Sequence, residues 1–319
     1  MSTGTQARRF PPRRAAVALV VVAVVVAVVV VLLTRDSGLE VKDRVEIGSR
    51  PAAVAVGFGA VWVANNLGGL VKVDPESVEI EGREVPIGES PQNIALGAGS
   101  VWTTAGIGSR LVRVDPRTRR VQKTIVAGVE PSGIGIGAGA VWVADARNDT
   151  VRRVDPRTNR TVGRPIRVGP NPQGVLVGAG AVWVANFGSN TVSRIDPTGT
   201  PRVVDTVRVG TSPASLALGE GGLWVLNTAA RTIMRIDPAQ NRVVGRPVQL
   251  GGIPSGLAIG DGSLWVSNSG DGTLQRIDPD SESVEETVEI GERPADVAVG
   301  EGSVWVTVGE EDHLVRVEP

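Results

Sequence analysis

Seven tryptophans, at Trp62, Trp102, Trp142, Trp183, Trp224, Trp265 and Trp305, recur at intervals of 40 or 41 residues and are the only ones in this chain of 319 residues. A proline stands 11 residues before each (Pro51, Pro91, Pro131, Pro172, Pro213, Pro254, Pro294), and an acidic residue followed by proline stands 12 or 13 residues after it. Three marks held in register seven times define a repeat, seen whole in residues 169–197, GPNPQGVLVGAGAVWVANFGSNTVSRIDP. A period near 40 admits several repeat architectures, so the content of the unit must decide between them.

The content is that of short strands. Within the unit the apolar runs VLV (175–177), AVWVA (181–185) and TVSRI (191–195) are β-branched and too short for an amphipathic helix. Gly-x-Gly separates the first two runs in all seven units, as at Gly178 and Gly180, and glycine supplies the positive φ that a tight hairpin turn requires. A polar loop separates the second and third runs. After the third comes Asp-Pro and then a fourth run such as VVDTVRVG at 203–210. Four antiparallel strands in each of seven units predict an all-β fold, a seven-bladed β-propeller, which protects sheet edges by radial repetition. Abundant glycine and proline, 41 and 21 residues, fit a turn-rich β chain.

The N-terminal part has a different character. Residues 1–14 form a basic tail with Arg8, Arg9, Arg13 and Arg14 and no acid. Ala15 to Leu33 is an unbroken apolar run of 19 residues, which as a helix covers roughly the 30 Å of a bilayer core. A secretory signal peptide has a shorter apolar region and a small-residue cleavage site. Thr34, Arg35, Asp36 and Ser37 follow here, so residues 15–33 are expected to be one transmembrane helix, an uncleaved signal anchor, with 34–38 as linker. By the positive-inside rule the N-terminus stays in the cytoplasm and the propeller lies outside the cytoplasmic membrane. Cysteine is absent, so thiol and disulfide chemistry are excluded.

The propeller is expected to span residues 39–319. Val41 to Gly48 has the pattern of a fourth strand with no earlier strands before it, whereas the seventh unit runs out after its third strand at Glu318. Residues 39–48 are therefore expected to complete the last blade.

Each recurring mark has a structural reading beside a functional one. A tryptophan in the middle of an apolar strand, once per unit, is expected to pack between neighbouring blades rather than to form a stacking platform. The Asp-Pro pairs suit turns in which the carboxylate accepts nearby N–H groups, and one carboxylate per blade is too few to hold a metal. The prolines open the innermost strands, where a missing N–H does no harm. Two residues on come Ala53, Asn93, Gly133, Gly174, Ser215, Gly256 and Asp296, expected to face the central channel and small because seven strands converge there.

The repeat, with its P-x-x-V-A-V-G-x-G-A-V-W-V-A-N core and R-V-D-P ending, resembles the bacterial propellers of the streptogramin (virginiamycin B) lyase and YncE-like families over roughly residues 39–319. The resemblance implies the same fold. For lyase members it also implies opening of a cyclic depsipeptide by elimination, with histidines, a glutamate and magnesium at one mouth. This chain holds one histidine, His313, and no tyrosine. Directly after the repeat proline stand Ala52, Gln92, Ser132, Gln173, Ala214, Ser255 and Ala295, so a two-histidine acid–base arrangement cannot form. No nucleophile elbow accompanies the serines either.

Charge is unevenly placed. Residues 110–246 hold 20 basic and 9 acidic side chains, whereas 247–319 hold 3 and 15. The densest basic runs are Arg117, Arg119, Arg120 and Lys123, then Arg152, Arg153, Arg157, Arg160, Arg164 and Arg167. Solubilising charge explains such a distribution, and so does attraction to an anionic envelope surface. An external location argues against nucleic acid. The leading expectation is a membrane-anchored binding or protein-interaction scaffold that uses no cofactor and takes a protein or envelope ligand at one mouth through Gln92, Asn93, Asn171, Gln173, Asn186, Asn268 and Asp296. The alternative is a diverged lyase or hydrolase acting on a cyclic or peptidic compound, with His313 as its acid.

Overall fold

The computed structural model describes Met1 and residues 38–88, 90–105 and 108–319. The expected basic tail, the apolar run 15–33 and the linker lie outside the described residues, Met1 and Gly38 excepted. Among the described residues no helix is long and apolar enough to cross a membrane.

Leu39–Pro319 is one compact unit of seven four-stranded antiparallel sheets. Each sheet runs outward from an inner strand that begins at a repeat proline, as Pro172–Gly178, Ala181–Asn186, Thr191–Asp196 and Arg202–Arg208 do in blade 4. Inner strands contact the inner strands of both neighbouring blades, and the first, Pro51–Val56, touches the last, Pro294–Gly300, so the seven sheets close a ring. Glu40–Glu46 supplies the outer strand of blade 7, pairing antiparallel with His313–Glu318 from Glu40 opposite Glu318 to Glu46 opposite His313. Blade 1 has the weakest outer strand, Val85–Pro86, because Gly82 (φ 65°) and Pro86 interrupt the ladder.

Second strands are buried along their whole length save for Ser263 at the start of that of blade 6, since a blade packs on both faces. Outer strands instead alternate between exposed and half-buried residues, as Glu40–Glu46 and Ser283–Glu289 do. All seven tryptophans are fully buried. Each packs across a seam: Trp142 with Val175, Val182, Val184 and Ile195 of blade 4, and Trp305 with Val54, Val61, Val63 and Val71 of blade 1. Six indole N–H groups donate to the carbonyl five residues earlier, at 3.1 to 3.2 Å from Gly97, Gly137, Gly178, Gly219, Gly260 and Gly300. A cation lies over six of the rings at 5.0 to 6.0 Å, Arg153 over Trp142 among them.

The two glycines of Gly-x-Gly do different things. In blade 4 the middle residue Ala179 and the second glycine Gly180 both have positive φ (49° and 71°), the pattern of a type I′ turn. The first glycine is required by packing, since a Cβ on Gly178 would collide with Leu218 of the next blade, as one on Gly260 would with Val299.

The Asp-Pro turns carry the expected caps. Asp74 Oδ1 accepts from Glu76 and Ser77 N–H at 2.9 and 2.8 Å, and Asp115 Oδ1 from Arg117 and Thr118 N–H at the same distances. The Ser77 and Thr118 backbone donors are the chief cause holding these two carboxyls below the ordinary aspartate range.

Candidate functional site

One end of the ring is built from the loops that lead into the inner strands and the loops between second and third strands. Three cavities open there, one of them acidic and lined by Asp271, Glu289, Glu292 and Glu311, and the other two share Ser255 and Ser269. Of these two the first, about 480 Å³, lies across blades 6, 7 and 1 and is lined by Arg50, Asn66, Arg293 and Glu310 among others. The second, about 440 Å³, lies across blades 4, 5 and 6 and is lined by Asn171, Gln173, Phe187, Thr228 and Ile253. Arg293 Nη1 pairs with Glu310 Oε1 at 2.9 Å, and the exposed Arg50 gives its backbone N–H to Asp312 Oδ1 at 2.7 Å. The mouth therefore combines two arginines, one of them paired with Glu310, with amide groups, hydroxyls, prolines, alanines, Phe187 and Ile253, a lining suited to peptidic ligands.

The structure distributes the seven sequence-derived positions over three environments. Asn171 and Gln173 line the second cavity and are joined by a 2.6 Å bond from Gln173 Nε2 to Asn171 Oδ1. Asn171 is fixed in turn by its backbone N–H to Asp149 Oδ1 at 3.0 Å and takes φ 51°. Gln92 is exposed on the inner strand of blade 2, with Asn93 half-buried beside it.

Asn186 and Asn268 are fully buried. Asn186 Nδ2 donates to Thr191 Oγ1 and Ser193 Oγ at 3.0 and 2.9 Å, and Asn268 Nδ2 to Thr273 Oγ1 and Gln275 Oε1 at 3.3 and 3.1 Å. Each ends a second strand, so its side chain turns into the blade and shapes the loop instead of meeting solvent. Asp145 holds the same place in blade 3 and accepts from Val129 N–H, Glu130 N–H and Asn148 Nδ2 at 3.0, 3.2 and 2.8 Å. Burial works to raise the Asp145 pKa, and these donors outweigh it, leaving it below the usual value.

The expectation that the residue two after each proline faces the channel needs correction. A Cβ on Gly174 or Gly256 would strike the backbone of the next inner strand, at 2.6 Å from Ala214 O and 2.8 Å from Val297 N. Asp296 Oδ2 accepts from Val54 N–H of blade 1 at 3.0 Å. These positions face the neighbouring inner strand. The cause is an irregularity at the start of every inner strand, such as the register shift between Pro294 and Asp296, which breaks strict alternation. Smallness is still demanded there, by strand-to-strand contact. Burial pushes the Asp296 carboxyl up to about 6, while the backbone donors of Val54 and Val297 pull the other way.

Arg50, Arg293, Ser255 and Phe187 escape a reading based on loop polarity. The two arginines carry a positional signal: Arg50 and Arg293, like Asn171, each immediately precede a repeat proline and have a positive φ of 51° to 56°. His313 begins the third strand of blade 7, pairs across to Val308 and Glu46, and contacts the Glu311 carbonyl through Nδ1. It lines none of the mouth cavities. No group of three or more histidine and acidic side chains with metal-binding geometry occurs among the described residues.

The family model described as the virginiamycin B lyase family matches residues 78–319. The chain belongs to that family. Among solved structures it is similar to a streptogramin B lyase (TM-score 0.75, 17% identity, 88% of this chain and 97% of that one). It is similar to the same degree to a catalytically inactive histidine-to-alanine variant of virginiamycin B lyase from Staphylococcus aureus with quinupristin (TM-score 0.75, 17% identity, 88% and 99% covered). Hydrazine synthase of Kuenenia stuttgartiensis is a more distant likeness (TM-score 0.53, 15% identity, 72% and 95% covered). At these identities the likeness shows the fold alone. No curated protein sequence matches. Within the virginiamycin B lyase family this chain is thus a seven-bladed member whose mouth carries arginines, amides and hydroxyls.

Proposed function

We propose that this member of the family is a binding propeller that captures a peptidic ligand, from a partner protein or the cell envelope, at the mouth formed by blades 4 to 7 and 1. Arg50 and Arg293 supply charge, Asn171, Gln173 and Ser255 supply hydrogen bonds, and Phe187 and Ile253 supply apolar contact. The observation that carries this reading is the pairing of two adjoining cavities so lined with the placement of the single histidine outside both. Residues 15–33 tether the propeller to the cytoplasmic membrane, with the N-terminus inside and the ring outside; this rests on the 19-residue apolar run and the arginines before it.

A second reading, a diverged lyase, has one observation in its favour. The Asp296 carboxyl lies close to neutrality on an inner strand and could exchange a proton. Incubating purified protein with quinupristin separates the two. The binding reading expects the cyclic peptide to be recovered intact. Linearisation that is lost in Asp296→Asn or His313→Ala overturns it. Affinity capture from membranes tests the mouth directly, because joint replacement of Arg50, Gln173, Phe187 and Arg293 by alanine should abolish recovery of the partner while the thermal transition persists. Unchanged capture would move the site elsewhere. Alkaline extraction of cell membranes tests the tether: the full chain should stay with the lipid and a chain lacking 2–37 should be released.

A further inference from the structure

Blades 3 and 5 have nearly the same outer strand, RTVGRPIR at 160–167 and RVVGRPVQ at 242–249. Both bend at a glycine of positive φ, Gly163 at 74° and Gly245 at 72°. In both, the third-strand arginine over the blade's tryptophan lies opposite the valine before that glycine, Arg153 opposite Val162 and Arg235 opposite Val244.

In blade 5 this bend holds a carboxylate. Glu282, from the Asp-Pro turn of blade 6, accepts the Arg246 backbone N–H at 2.7 Å and lies 2.7 Å from Arg235 Nη2. A Cβ on Gly245 would collide with the Glu282 carboxyl, so that group sits in the crook of the bend. In blade 3 the same bend meets a different turn. Blade 4 contributes Thr198-Gly199-Thr200-Pro201 after its Asp-Pro, one residue longer than Asp280-Ser281-Glu282 and without a carboxylate. Nothing lies within 4 Å of a Cβ placed on Gly163, and a cavity of about 680 Å³ opens between the outer strands of blades 3 and 4. Arg153, Arg164, Arg167 and Arg202 line it over a floor that includes Val162, Ile166 and Pro201.

Among the described residues the third-strand cation has a polar partner in five of the other six blades, and Arg194 of blade 4 has none. Lys72 pairs with Glu81, Arg276 with Glu285 and Glu286, and Arg316 with Asp43, while Arg113 bonds Pro156 O and Asn159 Oδ1. Of the third-strand cations Arg153 alone lines the large cavity, and among the described residues no ion pair or hydrogen bond engages its guanidinium. Stacking on Trp142 at 5.7 Å fixes its position without neutralising it.

We propose that the seam between blades 3 and 4 binds an acidic peptide segment of a partner protein, whose glutamate carboxylate enters the crook at Gly163 as Glu282 enters the one at Gly245. The carboxylate takes the Arg153 guanidinium and the Arg164 backbone N–H, the fork that blade 5 makes with Arg235 and Arg246. Flanking apolar side chains of the segment cover Val162, Ile166 and Pro201, and Arg167 and Arg202 attract its remaining acids. This site lies on the third and outer strands of blade 3 and the turn and outer strand of blade 4, and shares no lining residue with the mouth cavities.

The probe is the capped hexapeptide Asp-Pro-Asp-Ser-Glu-Ser, the chain's own blade 6 turn, compared with the same peptide carrying Gln for Glu. Calorimetry on the full chain should show saturable binding of the first. Affinity should fall about tenfold for the Gln peptide and for Arg153→Met, the usual scale for a charge-assisted bond. Thr200→Glu, a change on an exposed turn that leaves the core untouched, should place a carboxylate in the crook from within the chain and abolish peptide binding. Equal affinity for both peptides, full binding to Thr200→Glu, absence of saturation, or binding of inorganic phosphate in preference to the peptide would each overturn the proposal.

Discussion

The seam that closes the ring and the seam between blades 3 and 4 are built from the same repeat and held by different means. Blades 3 and 4 are consecutive in the chain. Their inner strands pack, Trp142 fills the space between sheets, and the outer strands flank a basic cavity. Blade 7 and blade 1 lie at opposite ends of the propeller sequence, and the chain segment joining them is itself the outer strand of blade 7. Besides the packing of Trp305, this seam has the buried Ile47 and the Asp296 bond to Val54, while within blade 7 the ladder from Glu40 to Glu46 and ion pairs such as Arg316 with Asp43 and Lys42 with Glu318 hold the joining segment. In blades 1 to 6 the four strands are consecutive in the chain. In blade 7 the break falls between the third and outer strands, and the noncovalent contacts gathered there bridge it.

The largest test of this contrast is removal of residues 38–48. It strips the outer strand from blade 7, exposes the edge of His313–Glu318 and deletes Ile47 from the core. The expected outcome is loss of the cooperative thermal transition, followed by circular dichroism, with association through the free edge. A two-state transition near the parent temperature would mean that the ring does not depend on this strand.

Next come the tryptophans. Trp305→Ala and Trp142→Ala each leave a large buried cavity and should cost about 3–5 kcal/mol in denaturant unfolding. If closure depends more on its contacts than an internal seam does, Trp305→Ala should be the worse of the two. The reverse order would remove the distinction.

Asp296 gives the third test. Its folded-state pKa of about 6 exceeds the aspartate value in an unfolded chain, so between roughly pH 4 and 6 the folded protein binds more protons than the unfolded one. Its contribution is therefore most favourable at or below pH 4, declines as pH rises through 6, and is constant above. The ionised form costs roughly 3 kcal/mol at pH 7.5 on this scale. Asp296→Asn keeps an oxygen for the Val54 N–H and should raise stability at pH 7.5 by up to that amount, with a flatter profile between pH 4 and 6 than the parent. A parallel pair of profiles would show that Asp296 does not titrate there.

The smallest effect belongs to the open rim. Thr200→Glu should stabilise the seam between blades 3 and 4 by about 0.5–1 kcal/mol through Arg153, and the gain should shrink in high salt. Among the described residues the side chain of the mouth-facing Arg50 makes no ion pair or hydrogen bond, and its backbone bond to Asp312 survives substitution, so Arg50→Ala should leave the melting temperature unchanged.

The fold was legible because its determinants are local and periodic. Trp183 and Pro172 recur in every blade and do the same work there, seam packing and strand opening, and Asp196 recurs as a turn-capping aspartate in blades 1 to 6. Seven blades of four strands follow from counting these marks. The candidate site was less legible. Asn186 and Asn268 look like loop residues, yet a one-residue difference in position turns a side chain from solvent into a blade. Arg50 and Arg293 were hidden because only the assembled ring sets them beside Ser255, some 40 to 200 residues away in sequence on the scale of one to five repeats.

Sequence alone therefore determined the repeat, its strand content and the number of blades, because hydrophobic alternation and turn chemistry act over a few residues. Tertiary structure alone decided which way the residue after each inner-strand irregularity points, which cavities meet at the mouth, and where one blade's turn fills the bend of the blade before it. Those outcomes depend on contacts between units a full repeat apart. The near-identical bends at Gly163 and Gly245 make the point: one is occupied by Glu282 and the other opens into a cavity, and the difference lies in a turn that belongs to the next blade.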